Sequence, residues 1–166
     1  MIDPERCVSA MRVSDLLNRD SVLLHADIQD AADALGVLVE LQESNGVITN
    51  GTAYYNAVCE REAAGGSTGI GDGIALPHAC NAGVAAPGVA ALTLRRGVDW
   101  GAPDNRPVDL IFMIAVPTQA QAEHLLILAR LVNLLSDTNL VKELRASVSR
   151  EDFIMRMARA EASRFA

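Results

Sequence analysis

The segment Ser67-Thr68-Gly69-Ile70-Gly71-Asp72-Gly73-Ile74-Ala75-Leu76-Pro77-His78 sets two hydroxyls, three alternating glycines and a proline before a histidine. Alternate glycines let backbone approach a ligand closely and aim N–H groups at an anion. The run is not a nucleotide loop. A P-loop needs Gly-Lys-Ser/Thr, and no lysine lies here. A dinucleotide fingerprint follows a strand and opens a helix, whereas this run leads into the strand-like residues 74–76. If phosphate is handled here, His78 is the better candidate for carrying it.

Pro77 fixes its own φ and restrains Leu76 to an extended form, so the strand is expected to end there. His78 would then sit just beyond a strand end, where loops carry function on a rigid scaffold. A plain turn with a surface histidine is the competing reading, and spacing alone leaves both open. The chain has two other histidines, His25 and His124. His124 lies near the start of an apolar helical pattern. Free N–H groups and the dipole at a helix start attract anions, and a histidine there could donate to a phosphoryl oxygen. It could equally cap the helix or face solvent. Arg61 falls in the last turn of a helical pattern, where it complements the dipole or offers a forked donor to phosphate. His25 sits in a strand pattern with nothing distinctive beside it and reads as structural or superficial. A two-histidine metal site at His78 and His124 lacks further ligand spacing.

These residues need elements to position them. A short helix is expected over 13–18 and a strand over 21–26. Asp30 reads as an N-cap, with Ala34, Leu35, Leu38 and Leu41 at helical spacing and Gly46 as the stop. A second helix is expected over 52–64, burying Tyr55, Val58 and Cys59 and ending at Gly65-Gly66. Strands follow over 74–76 and 89–94, the latter ending at Arg95-Arg96. Residues 97–107 are rich in turn formers. Residues 108–116 form a near-continuous apolar strand, as expected where both faces of a sheet are covered. Helices are expected over 123–135, 139–146 and 151–160. Strands interspersed with helices indicate an α/β layer architecture. Residues 1–12 show no period and read as a mobile start before one domain over 13–166.

Composition narrows the function. The 166 residues are 50% hydrophobic, 21% charged and 4% aromatic, with a net charge of −7. That is the composition of a folded chain with an aliphatic core, poor in stacking platforms for single-stranded nucleic acid. The negative balance argues against nucleic acid and favours a partner with a basic face. No segment reaches the roughly 20 apolar residues of a membrane helix, and the N-terminus lacks a signal-peptide pattern. Three cysteines, Cys7, Cys59 and Cys80, form no CxxC pair, which suggests reduced thiols and a cytoplasmic setting.

The whole run from Arg61 to His78, REAAGGSTGIGDGIALPH, resembles the signature of the fructose–mannitol class of phosphotransferase-system enzyme IIA. The later IFMIAVP and EHLLILARL resemble that family's strand, loop and His-Leu helix start. The likeness runs over residues 13–160. It implies a mixed, about five-stranded sheet flanked by helices on both faces. It implies that His78 accepts the phosphoryl group, that His124 is the second active-site histidine and that Arg61 helps hold the group. Ser67 and Thr68, with Gly69, match the phosphate-binding rim. The implied donor is HPr and the implied acceptor a cysteine of an enzyme IIB, with no metal or cofactor. Contact with a membrane sugar permease would come only through partners, and homo-oligomerisation stays open. The nitrogen-regulatory branch shares the motif and acts by phosphorylation-dependent binding to target proteins. Asp72 and Cys80 depart from the family pattern. Neither is expected to touch Arg61, His78 or His124, and Asp72 is expected to face solvent.

Overall fold

The computed structural model describes residues 12–165. The expected mobile start and Cys7 lie outside them, Arg12 apart. Among the described residues, six strands form one mixed sheet: β1 (Val22–Ala26), β2 (Gly69–Gly71), β3 (Ile74–Ala75), β4 (His78–Cys80), β5 (Gly88–Val98) and β6 (Val108–Val116). The order is β1-β5-β6-β3-β2, with β4 also on β6. The helices are α1 (Val13–Leu16), α2 (Ala31–Ser44), α3 (Gly51–Ala64), α4 (Gln121–Leu135), α5 (Thr138–Arg145) and α6 (Arg150–Arg164). The expected α/β sheet with helices on both faces is present. It has six strands where about five were expected, because three-residue strands such as β2 and β4 are too short to show an alternating pattern.

β6 explains the two-sided burial. Its Leu110, Phe112, Ile114 and Val116 pack with Ile127 and Leu131 of α4 and Phe153 and Met157 of α6. The alternate Ile111, Met113 and Ala115 pack with Leu35 and Leu38 of α2 and Tyr54 and Val58 of α3. Successive side chains point to opposite faces, so a strand covered on both must be apolar throughout.

The helix starts follow side-chain caps. Asp30 accepts from the Asp33 amide, and Asn50 from the Ala53 amide. Asn50 starts α3 one residue before the expected Thr52. The buried pair on that helix is Tyr54 and Val58, one turn apart, with Tyr55 and Cys59 only half-buried at its margin. Two further expectations are corrected. β5 continues past Arg95-Arg96 to Val98, because its register against β6 shifts between Thr93 and Val98 and the two arginines are exposed there. β3 ends at Ala75, before Pro77, but His78 does not lie in a loop beyond it. β3 pairs Ile74 with Leu110 and Ala75 with Ile111, and β4 resumes in step, pairing His78 with Ile114. Pro77 lacks an amide, but its carbonyl accepts from the Ile114 amide at 3.0 Å, so the ladder carries across it. His78 therefore stands on a sheet edge and not in a loop.

One buried carboxylate ties the short α1 to α6. Glu161 accepts from the Val13 amide at 2.7 Å, the Ser14 amide at 3.0 Å and the Ser14 hydroxyl at 2.8 Å. Arg130 lies 3.6 Å from the same carboxylate. Removing one side of a buried charged network strands the other. Glu161→Ala is expected to destabilise the protein by about 3 kcal/mol, read as a lower urea midpoint. A midpoint within error of wild type would show that α1 docks without it.

Candidate functional site

His78 and His124 meet near the carboxyl end of β6. β4 delivers His78 directly. β6 ends at Val116, and the following loop turns into α4, whose fourth residue is His124. The two rings lie 5.0 Å apart between centroids and are tilted by 57°. Both are half-buried, so the pair is open to a partner on one side.

His78 Nδ1 lies 2.6 Å from the Leu76 carbonyl oxygen. A carbonyl only accepts, so Nδ1 carries the proton and Nε2 keeps its lone pair. The histidine is thus held as a nucleophile through Nε2. His124 Nδ1 lies 3.1 Å from the Cys80 sulfur. Its Nε2 is buried and has no hydrogen-bond partner. Burial, then the adjacent His78, then the Arg61 guanidinium push the His124 pKa below its ordinary value. The ring is therefore neutral near pH 7.

Arg61 stands in the last turn of α3, near enough for its charge to act on His124. Its guanidinium folds back over Gly65: a β-carbon there would come within 2.5 Å of Nη1. Gly65 therefore stops the helix and also leaves the path along which the arginine lies. The first turn of α4 carries no side-chain cap, and Ala120 occupies the cap position. Arg61 and the α4 start supply positive potential and donors that suit an anion.

The glycine run has a structural task. Gly71, Asp72 and Gly73 all have positive φ, at 92°, 57° and 77°, and together make the β2–β3 turn. A β-carbon on Gly69 would meet Ala102 at 2.8 Å. Ser67 donates its hydroxyl to the Trp100 carbonyl at 2.9 Å and accepts from the Gly69 amide at 3.0 Å. Thr68 donates its hydroxyl to Glu62 and accepts from the Trp100 indole N–H at 3.1 Å. In this geometry all three residues brace the hairpin leading to His78. Glu62 and Trp100, which fasten that brace, were not singled out from the sequence. Glu62 stands in the motif beside Arg61, but Trp100 lies in a turn-rich stretch with no local signal.

Asp72 faces solvent as expected, 3.2 Å from Arg106 with its side chain 78% exposed. Cys80 does not stay clear of the site as expected: its thiol touches His124. Two positions after His78 on an extended strand, its side chain returns to the same face. His25 is structural. Its Nε2 lies 3.1 Å from the Ser147 carbonyl oxygen, and its amide donates to Thr93 Oγ1 at 2.9 Å. Tyr54 is a further unforeseen residue. Its buried hydroxyl donates to the Ile114 carbonyl at 2.6 Å, opposite His78 in the ladder. Among the described residues, no group of three or more His, Cys, Asp or Glu side chains is placed to hold a metal ion.

Residues 15–159 match the family described as the phosphoenolpyruvate-dependent sugar phosphotransferase system, EIIA 2. The chain belongs to this family. It is 33% identical over 144 residues to the fructose-specific EIIABC component of Bacillus subtilis, which covers 87% of this chain but only 22% of that relative. The crystal structure of the nitrogen regulatory protein IIA-Ntr from Neisseria meningitidis superposes with a TM-score of 0.81 at 28% identity, covering 87% of this chain and 98% of that one. The Escherichia coli mannitol enzyme IIA, solved in complex with phosphorylated enzyme IIB, superposes with a TM-score of 0.74 at 22% identity, covering 86% and 96%. That last likeness is one of fold. The EIIA assignment carries a role in phosphoryl transfer within a sugar phosphotransferase system.

The Arg61–His124 coupling is measurable. In an NMR titration His124 is expected to titrate below the ordinary histidine value of about 6.5. Arg61→Ala removes a cation and is expected to move that midpoint upward. An unmoved midpoint would show that the guanidinium does not act on the ring.

Proposed function

We propose that this EIIA protein is a phosphohistidine carrier that takes its phosphoryl group from phospho-HPr on His78 and hands it to a cysteine of an enzyme IIB. One observation carries the reading: the Leu76 carbonyl holds the proton on His78 Nδ1, which leaves Nε2 as a free nucleophile. In acceptance, the Nε2 lone pair attacks phosphorus, and the bond from phosphorus to the donor breaks with its electron pair leaving on the donor. In release, a thiolate of the acceptor attacks phosphorus, the N–P bond breaks and Nε2 recovers its lone pair. Such transfers depend on alignment and charge stabilisation. Arg61 supplies a forked donor and His124 Nε2 a second one. Ser67, Thr68 and Gly69, braced by Glu62 and Trp100, would form the rim of the phosphate site. The net charge of −7 suits a donor with a basic face.

The mannitol IIA complex with phosphorylated IIB supports the acceptor. In this reading the protein works in the cytoplasm and reaches a sugar permease only through partners. A second reading rests on IIA-Ntr, of which the likeness covers 98% at 28% identity. There the same histidine would switch binding to regulatory targets.

The test incubates the protein with phosphoenolpyruvate, enzyme I and HPr and weighs it intact. Wild type is expected to gain an acid-labile phosphoryl adduct and His78→Ala none. An adduct on another histidine of the variant would sink the assignment. His124→Ala is expected to accept the group but pass it to an enzyme IIB more slowly; an unchanged rate would remove His124 from the mechanism.

A further inference from the structure

We infer that Cys80 is a positioning residue for His124: its thiol donates to Nδ1 and so holds the ring proton on Nε2. The contact is 3.1 Å from Sγ to Nδ1. Geometry brings the three side chains together. Cys80 and His78 share one face of β4, and the His124 ring lies against both. A thiol and an imidazole could bond in either direction. With both groups neutral, sulfur is a weak acceptor and an unprotonated ring nitrogen a good one, so the thiol donates. Burial raises the Cys80 pKa and so favours the thiol over the thiolate. His124 is shifted towards its neutral form in the same place.

The independent observation is the other ring nitrogen. Nε2 is buried and unpartnered. With Nδ1 accepting, Nε2 bears hydrogen and is a donor waiting for an oxygen. With Nδ1 protonated, Nε2 would present a lone pair to that oxygen and repel it. The two histidines thus hold opposite tautomers, each set by one neighbour: a carbonyl fixes His78 as nucleophile, and a thiol fixes His124 as donor. The consequence for transfer rests on the proposed function; the tautomer is a property of the free protein.

Two-bond ¹H–¹⁵N NMR of the ¹⁵N-histidine-labelled protein near neutral pH reads the tautomer directly. Wild-type His124 is expected to show a protonated Nε2 and a bare Nδ1. Cys80→Ala is expected to give a mixture of tautomers, and Cys80→Ser, which keeps an O–H donor, to restore the single one. In onward transfer to an enzyme IIB, Cys80→Ala is expected to slow the step about tenfold, as one neutral hydrogen bond would, with Cys80→Ser faster than Cys80→Ala. A wild-type spectrum with the proton on Nδ1 overturns the inference without any variant. So does a Cys80→Ala spectrum in which His124 is unchanged. If no phosphoryl adduct forms on wild type while the spectrum shows Nε2–H, the carrier reading fails and the tautomer assignment stands.

Discussion

The site depends on where one carbonyl is left pointing. In an extended strand the N–H and C=O of one residue face the same side. The Leu76 amide donates to the Thr68 carbonyl, so both polar groups of Leu76 face β2. β2 begins at Gly69, and Thr68 is the last contact along that edge. The Leu76 carbonyl is therefore past the end of the ladder and free for His78 Nδ1. Pro77 keeps its own carbonyl on the β6 side. A longer β2 would claim the Leu76 oxygen, and the histidine would lose the bond that selects its nucleophilic nitrogen.

That arrangement needs a β6 that does not shift, and the buried face of α3 supplies the brace. The Tyr54 hydroxyl donates to the Ile114 carbonyl while the Ile114 amide donates to Pro77. Burial raises the tyrosine pKa, so the phenol stays a donor. The other end of α3 carries Arg61 and Glu62. Glu62 holds Thr68, and Trp100 closes the same brace from the segment after β5. One helix thus pins the strand opposite His78 and the hairpin leading to it, and carries the arginine whose charge acts on His124. Sequence neighbours in the motif act through different contacts, which is why Arg61 and Glu62 stand side by side.

What the sequence could convey followed the range of each signal. β6 was readable to the residue because two-sided burial leaves an unbroken apolar run. The helix start at Asp30 was readable from its local cap. The motif located His78, Arg61 and His124, and the structure brings the two histidines together. Two features were not readable. Pro77 looked like a stop, because whether a ladder carries across a proline depends on the partner strand. Cys80 looked detached, because its contact is with a ring 44 positions away. Each failure concerns a partner distant in sequence.

The unpartnered Nε2 of His124 also says something about energetics. A buried polar atom without a partner costs about 1–3 kcal/mol, and native structures keep few of them. Burial could have been relieved by a neighbouring carbonyl or hydroxyl, yet this nitrogen has neither. An oxygen brought beside this nitrogen would meet a donor that no described protein group already occupies. Under the proposed carrier reading, a donor with no protein partner, on a ring packed against His78, is available to the transferred group without making the empty form reactive. A carrier needs that balance. A donor saturated in the empty state would contribute nothing on loading. A fully solvated one would merely exchange one oxygen for another. Half-buried rings with one satisfied nitrogen each are the compromise the fold supplies.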